Sequence, residues 1–332
     1  MRDLRDLPKA HLHVHLENTI RWPTLRELGL ANGIDVPGHL TEGRYAFTGF
    51  SDFFAQNALV RSRLSQPADF RRIAVEYCED EAAQGTRYAE VSFTAAAHGQ
   101  RVGDMPIPLA AVLDGLAEGS ERYGVEARVV LDHSRRRSVE QAIRTVELAV
   151  EYADSGVVAV GLAGDEAYPL EPFAEVFADA RSRGMHVVHH AGEALGPDSV
   201  WTAIGAGGAE RVGHGIRALE DEALVDELRN RHIPLEVCPS SNVALGFAPS
   251  LPTHPFPRLV AAGLTVTINS DIPAMIATPL AVEYSNIRTA FRYDDAAMAA
   301  FATASVDASF ASVEVKDAIR AEIRSWLAHV GS

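Results

Sequence analysis

The sequence predicts an α/β fold, a (β/α)8 TIM barrel with extra helices inserted after the first strand. Eight short apolar segments alternate with amphipathic segments along the 332-residue chain, and this alternation implies parallel strands joined by helices. The count of eight favours a closed barrel over an open, doubly wound sheet. Barrels of this type often form one domain at this length, so we expect a single domain over residues 1–332.

The eight predicted strands are the short apolar segments of that alternation. They are His11–Leu16, Arg87–Phe93, Glu126–His133, Val157–Gly164, His186–Gly192, Arg211–Ile216, Pro234–Pro239 and Thr265–Asp271. The connection after the first strand, Glu17–Thr86, is far longer than one crossover helix requires, which predicts the extra helices. It contains an aromatic stretch that either lines a pocket or packs helix against helix. Its phenylalanines are Phe47, Phe50, Phe53 and Phe54.

Composition restricts the class of partner. Lys and Arg total 30 against 45 Asp and Glu, giving a net charge of −15, which argues against nucleic-acid or anionic-membrane surfaces. The N-terminal segment is charged, and no stretch approaches the roughly 18 apolar residues of a membrane helix. Cys78 and Cys238 form no metal-ligand pair by their spacing. We expect a cytoplasmic protein with reduced thiols and a small-molecule partner, while the sequence leaves the oligomeric state open.

Ionisable residues gather where the predicted strands end, always at the carboxyl end. These residues are His13, His15, His190, Glu193, His214 and Asp271. Active sites of (β/α)8 barrels lie at that face and use side chains from several strands. The sequence therefore predicts a functional site at this end of the barrel.

A metal site is the first expectation for these residues. His13 and His15 are alternate residues of a strand, so they share a face and can bind one ion together. A lone His-X-His is a weak indication, but His190 and Asp271 are expected at the same end of the barrel. Three neutral imidazoles and a carboxylate suit zinc and leave room for water.

The segment "VVHHAGE" places two histidines side by side, and neighbours on a strand point to opposite faces. If His190 faces the site, His189 faces the helical layer and is a packed structural residue. Gly192 permits a tight backbone turn. Glu193 then lies just beyond the ion, where a carboxyl group can pass protons between water and a substrate.

Six motifs occur in the order in which the adenosine deaminase family carries them, and the chain resembles that family from about Leu7 to Tyr284. The motifs are "PKAHLHVHLE", "LAGDE", "HHAGE", "RVGHGI", "EVCPSSN" and "TINSD". The resemblance implies one zinc ion per chain. The ligands that it implies are His13, His15, His190 and Asp271.

The resemblance also implies roles toward a substrate. Glu193 resembles the proton shuttle that donates to a purine ring nitrogen, and His214 the residue that orients and activates the attacking hydroxide. Gly164 corresponds to a backbone amide that contacts a second ring nitrogen. Glu17 corresponds to an acidic residue that contacts the ribose 5′-hydroxyl. The implied reaction is hydrolytic deamination of adenosine or a related aminopurine, with release of ammonia.

Some positions depart from the family pattern. Ile272, in "Asp-Ile-Pro", stands where the family has a second aspartate that hydrogen-bonds a ring nitrogen, and an unpaired ring atom would cost about 1–3 kcal/mol. This predicts a preference shifted from adenosine toward 7-deazapurine nucleosides or bases. Asn18 replaces a glycine, and asparagine tolerates the left-handed backbone that a turn there needs. Ser92 replaces an arginine, and Gly161 an aspartate, with no role that follows.

Two other interpretations stay open. A zinc amidohydrolase could cleave a ring amide of a different heterocycle, and a degenerate relative could bind nucleosides without turnover. The deaminase interpretation is favoured because Glu193 is placed to protonate a nitrogen and because "LAGDE" matches deaminases. Phosphorylated substrates are not expected, since neither a glycine-rich phosphate loop nor an arginine cluster occurs near the predicted strand ends.

Overall fold

The computed structural model describes residues 1–38 and 45–328, and its centre is a sheet of eight strands. Adjacent strands are parallel and follow one another in sequence order from β1 to β8. The strands are β1 (Lys9–His11), β2 (Thr86–Phe93), β3 (Glu126–Ser134), β4 (Val157–Ala163), β5 (His186–Ala191), β6 (Arg211–His214), β7 (Leu235–Val237) and β8 (Val266–Ile268). This order, with helices between the strands, confirms the predicted (β/α)8 barrel.

The barrel closes between the first and last strands just beyond their carboxyl ends. The N–H of His15 donates to the carbonyl of Asp271 at 2.9 Å, and the N–H of Asp271 donates to the carbonyl of His13 at 3.0 Å. Before that point, the side chain of Asn269 accepts from the N–H groups of Leu12 and His13, at 2.9 and 3.1 Å. The predictions that strands one and eight continue through the ligand positions are therefore wrong. The strands end at His11 and Ile268, because the side chain of Asn269 interrupts the backbone pairing, and only isolated pairing follows at His15 and Asp271.

Helices surround the sheet. Among the described residues, three α-helices lie between β1 and β2, α1 (Trp22–Ala31), α2 (Phe50–Arg61) and α3 (Pro67–Ala83), which confirms the predicted insertion. Residues 39–44 of that insertion lie outside the described residues. The described α-helices are α1 (Trp22–Ala31), α2 (Phe50–Arg61), α3 (Pro67–Ala83), α4 (Gly99–Val102), α5 (Pro106–Tyr123), α6 (Val139–Glu151), α7 (Ala174–Ser182), α8 (Pro197–Ile204), α9 (Glu222–Asn230), α10 (Pro239–Ala244), α11 (Phe256–Ala261), α12 (Pro273–Ile276), α13 (Leu280–Phe291), α14 (Asp295–Ala308) and α15 (Val313–Ala328).

The strands are buried along most of their length, as expected for a parallel sheet covered by helices. One apolar cluster extends from the strands to the faces of the surrounding helices, and this core holds the strand ends in a fixed arrangement. Among the residues that the structure describes, no helix combines the length and apolarity needed to cross a membrane.

Candidate active site

A pocket opens at the carboxyl ends of the strands, where the sequence predicts the site. The space free of atoms there is about 710 Å³, which includes solvent at the mouth of the pocket. Seven of the nine predicted site residues line it. They are His15, Glu17, Gly164, His190, Glu193, His214 and Asp271. His13 lies against these residues without lining the pocket, and Ile272 lies in an adjoining apolar cluster.

Four of the predicted residues converge as a donor set. Ring nitrogens of His13, His15 and His190 all lie within 4.8 Å of one another. One carboxylate oxygen of Asp271 is 3.3 Å from Nε2 of His15 and 3.7 Å from Nε2 of His13. Nε2 of His13 is buried and has no hydrogen-bond partner. An orphaned nitrogen facing two further imidazoles and a carboxylate fits a tetrahedral zinc ion.

The pKa shifts of His190 and Asp271 favour ligation. Burial, followed by the charges of His13 and His15, holds the pKa of His190 well below its ordinary value. Burial opposes ionisation of Asp271, but nearby histidine charges and a hydrogen bond from Ser241 outweigh it and lower the pKa of Asp271. A neutral imidazole and an ionised carboxylate are the forms that bind a metal.

A second layer of side chains fixes the orientation of this donor set. His13 donates from Nδ1 to Glu236 at 2.9 Å, which leaves Nε2 facing the site. Glu236 accepts from Arg211 at 2.6 Å, and Arg211 also pairs with Glu90. Such partners fix the tautomer and orientation of a metal-binding histidine. Neither Glu236 nor Arg211 was identified from the sequence, although both lie in the quoted motifs "EVCPSSN" and "RVGHGI".

The backbone is strained at two of the site residues. His214 and Asp271 have φ of 65° and 60°, the left-handed region that costs a non-glycine residue about 1–3 kcal/mol. Gly213, which precedes His214, allows close packing, because a Cβ there would stand 2.7 Å from Cε1 of His13. Strain of this kind is typical of functional sites.

The surroundings of Glu193 fix its carboxyl group in position and favour the protonated form. Asn242 donates to its carboxylate at 2.7 Å, and His254 donates to the amide oxygen of Asn242 at 3.2 Å, which fixes the amide orientation. Nδ1 of His214 lies 3.4 Å from Glu193. Burial, followed by the charges of Asp271 and Glu166, raises the pKa of Glu193 well above its ordinary value. The carboxyl group can therefore carry a proton at higher pH than an exposed glutamate.

The turn that carries Glu193 is organised by Glu166, a residue of "LAGDE" that received no role in the sequence analysis. Its carboxylate accepts from the backbone N–H groups of Gly192 and Glu193, both at 2.9 Å, and of Ala194 at 2.8 Å. Gly192 has a φ of 68°, which bears out the tight bend expected there. Glu166 thus both positions Glu193 and contributes to its raised pKa.

Two other residues lie near the donor set, His189 with a structural role and Cys238 with a buried thiol. His189 lies against Phe177, with ring centroids 4.4 Å apart, and its Nε2 is 3.3 Å from the carbonyl of Gly207, which places it in the helical layer as predicted. Cys238 lies within 4.8 Å of ring nitrogens of His13 and His214. Burial and then the charge of Asp271 raise the pKa of its thiol well above the ordinary value, which favours the neutral form.

Asp132 is another residue that the sequence analysis missed. It lies in β3, its carboxylate is 3.6 Å from Nδ1 of His15, and burial raises its pKa to about 7. A Cβ on Gly161 would collide with its oxygen, so the glycine at that position of β4 makes room for Asp132. Its position near the carboxyl end of a predicted strand was the signal that could have found it.

The three predicted substrate contacts lie in different surroundings. Glu17 is buried and accepts a hydrogen bond from His98 at 2.8 Å. Gly164 has a φ of 99° and lies at the pocket wall. Ile272 is fully buried and packs with Phe53 and Leu245, which do line the pocket.

Comparison with known proteins gives the same picture as the geometry. The family described as "Adenosine deaminase" matches residues 8–326. A putative adenosine/adenine deaminase of Streptomyces coelicolor is 34% identical, covering 98% of each chain. An aminodeoxyfutalosine deaminase of Streptomyces avermitilis is also 34% identical, covering 97% of this chain and 92% of the relative.

Solved structures agree with the family match. An adenine deaminase from Arthrobacter aurescens has a TM-score of 0.91 at 29% identity, covering 96% of this chain and 99% of that one. An amidohydrolase from Burkholderia ambifaria with bound Zn has a TM-score of 0.89 at 25% identity, covering 97% and 91%. The chain therefore belongs to the adenosine deaminase family of the amidohydrolase superfamily and is a hydrolase of that type, acting on carbon–nitrogen bonds.

Proposed function

We propose that the protein is a zinc-dependent hydrolytic deaminase that releases ammonia from an aminopurine nucleoside or a close relative of one. One observation carries the proposal. A buried glutamate with a raised pKa, Glu193, lies beside His214 and is held by an amide, next to three histidines and an aspartate that can bind one metal ion. General acid catalysis beside a metal-activated water is the chemistry of hydrolytic deamination.

The four donors would hold one zinc ion per chain, through His13, His15, His190 and Asp271. When bound, zinc supplies Lewis acidity that makes water a nucleophile at neutral pH. The relative from Burkholderia ambifaria contains Zn, which supports this choice of metal. The buried, unpartnered Nε2 of His13 supports it from this chain itself.

The protein's own residues then handle the protons. Glu193 donates its proton to the ring nitrogen beside the amino-bearing carbon, while the oxygen of water adds to that carbon. Burial and then the charge of His13 lower the pKa of His214 to about 3, so its neutral ring orients the water by accepting a hydrogen bond. Water loses both of its protons: Glu193 passes one to the amino group, which leaves as ammonia, and keeps the other, so the ring retains a carbonyl and the carboxyl group is protonated again.

The walls of the pocket favour a planar heterocycle. Phe50, Phe53, Phe54 and Leu245 give it apolar surfaces, which suit an aromatic ring and limit access of bulk water. Gly164 lies at the wall, and its backbone N–H would donate to a second ring nitrogen, the role that the family resemblance implies. Ile272 stands at the position where the family has an aspartate, and the apolar cluster around it favours tolerance of a 7-deaza ring.

The test is release of ammonia by zinc-loaded protein from adenine, adenosine, 7-deazaadenosine and adenosine monophosphate. We expect release from at least one nucleoside, with loss of activity after chelation and recovery with added zinc. Hydrolysis of a cyclic amide without any release of ammonia would support the ring-amide hydrolase instead. Binding of nucleosides without either reaction would support a non-catalytic relative.

A further inference from the structure

Helix α2 presents one face to the pocket, and that face changes in character along its length. Its lining side chains have the spacing of a single helical face. They are Phe50, Phe53, Phe54, Asn57 and Arg61. The first two turns are aromatic and the last are polar. At about 1.5 Å per residue, roughly 10 Å of helix separates Phe54 from Arg61.

The two ends of this face lie over different parts of the barrel. Phe50 packs on Phe247, which follows β7, with ring centroids 5.2 Å apart. At the other end, the carbonyl of Arg61 accepts from Arg101 at 2.7 Å. Arg101 also donates to Nδ1 of His98 at 2.8 Å, and His98 is the partner of Glu17. The polar end of α2 therefore lies beside the residues that follow β1 and β2.

Polar groups at this end have no partner in the protein. Asn18 and Asn57 are 3% and 8% exposed, both line the pocket, and the amide oxygen of each lacks a hydrogen bond. Within residues 1–38 and 45–328, the guanidinium of Arg61 forms no hydrogen bond or ion pair. Buried polar groups are normally satisfied, so two buried amide oxygens without a donor, beside a half-buried guanidinium without an acceptor, indicate a ligand that offers both kinds of group.

The charge of this region is opposite to that of the chain. The protein carries a net charge of −15, yet burial and then the positive charge of Arg61 lower the pKa values of both Arg101 and Arg137. In the described part of the chain, the guanidinium of Arg137 also lacks an ion pair. Glu17, a carboxylate of this end, already has His98 as its partner. The local excess of positive charge attracts an anion.

We propose that Arg61 binds an anionic group of the substrate, a phosphate or a carboxylate, on the side of the purine away from its amino group, and that the amide oxygens of Asn18 and Asn57 accept hydrogen bonds from hydroxyl groups of the same ligand. The inference rests on the proposed function and narrows it to a nucleotide or a nucleoside acid. A guanidinium suits both anions because its donors form paired hydrogen bonds with two oxygens. The proposed anion site replaces the sequence-based expectation that phosphorylated substrates do not bind. That expectation considered arginines near the strand ends, whereas Arg61 reaches the pocket from a helix.

The experiment compares adenosine, adenosine monophosphate and adenosine-5′-carboxylic acid as substrates of wild type and Arg61→Met. For the anionic substrates the variant should raise KM about 10- to 100-fold, the loss of one charge-assisted contact, with kcat little changed. KM for adenosine should stay the same. Arg61→Lys should restore part of the affinity. Arg144→Met, which removes an exposed charge on α6, is the matched control and should change nothing.

Direct binding separates this inference from the proposed function. Calorimetry with inosine monophosphate and inosine needs no turnover. If no substrate releases ammonia, but inosine monophosphate binds at least tenfold more tightly than inosine and Arg61→Met removes that difference, the anion site stands and the deaminase proposal fails. If ammonia is released while anionic and neutral compounds bind alike, or Arg61→Met weakens both equally, the anion site is wrong. The stronger of the two anionic substrates shows whether phosphate or carboxylate is the natural group.

Discussion

The pocket has an inner end, at Glu193 and Asp271, and an outer end, at Asn57 and Arg61. The two ends differ in whether their polar side chains have hydrogen-bond partners within the protein. At the inner end, Glu193 accepts from Asn242 at 2.7 Å and Asp271 accepts from Ser241 at 2.5 Å. At the outer end, Asn57 and Arg61 line the same cavity, and no partner holds their side-chain amide oxygen and guanidinium within the described residues. The inner end is organised before a substrate arrives, as catalytic groups must be. The outer end is completed by the ligand.

This difference separates catalysis from recognition. The inner end includes strained backbone at His214 and Asp271, so its geometry is fixed at a cost in stability that only a demanding function justifies. The outer end can change its preferred ligand without disturbing that geometry.

The largest expected effect is loss of the metal site. Asp271→Ala should abolish both zinc binding and release of ammonia, because it removes the one anionic ligand of the predicted donor set. Elemental analysis of the purified variant measures this. His186→Ala, which removes an exposed histidine outside the site, should retain one zinc ion per chain. Full zinc occupancy in Asp271→Ala would contradict the ligand assignment.

Glu193→Gln should have the next largest effect. Glutamine keeps the shape but cannot carry a proton, so kcat should fall by about 10²- to 10⁴-fold while zinc stays bound. Steady-state release of ammonia together with metal analysis measures both quantities. Glu147→Gln, an exposed change on α6, serves as the control. Near-normal turnover in Glu193→Gln would move the proton-carrying role to another group.

Glu166→Gln tests the positioning of Glu193 and should lower kcat by about 10- to 100-fold. The carboxylate of Glu166 contributes to the raised pKa of Glu193, after burial and Asp271. Removing its charge lowers that pKa, so the protonated form is lost at lower pH and the alkaline limb of the rate profile moves to lower pH. A profile of kcat/KM against pH measures this. An unchanged alkaline limb with reduced kcat would leave Glu166 a purely structural role.

The smallest effect is expected at Ile272. Ile272→Val should lower the free energy of unfolding by about 0.5–1.5 kcal/mol, measured by denaturant titration, because the side chain is fully buried. The ratio of kcat/KM for adenosine and 7-deazaadenosine should change little, since Phe53 and Leu245 form the wall. Ile272→Asp is a poor probe of specificity, because it would bury an unpaired carboxylate among apolar side chains. A large change of that ratio in Ile272→Val would show that Ile272 contacts the ring.

The barrel and the position of its inner site could be predicted from the sequence for a physical reason. The carboxyl ends of the parallel strands lie at the same end of the barrel. Ionisable residues at those ends are therefore close together, independently of the loop conformations. Glu166 and Asn242 lie in motifs that the sequence analysis quoted, but their roles depend on which backbone N–H or carboxylate they meet. That information is tertiary and has no periodic pattern.

The outer end could not be predicted in the same way. Arg61 and Asn57 belong to a helix whose place across the pocket depends on packing against Phe247, far along the chain. Ile272 shows a related limit, since it follows Asp271, whose left-handed backbone interrupts the alternation of strand faces. Although Ile272 follows the predicted metal ligand Asp271 in the sequence, the side chain of Ile272 therefore does not lie on the pocket wall.

One kinetic comparison tests the division between the two ends most directly. It measures kcat and KM for deamination of adenosine monophosphate by zinc-loaded wild type, Glu193→Gln and Arg61→Met. The account predicts that Glu193→Gln loses kcat with KM nearly unchanged, and that Arg61→Met loses KM with kcat nearly unchanged. If both variants lower kcat to a similar degree with KM unchanged, catalysis and recognition are not divided between the two ends, and the account is wrong.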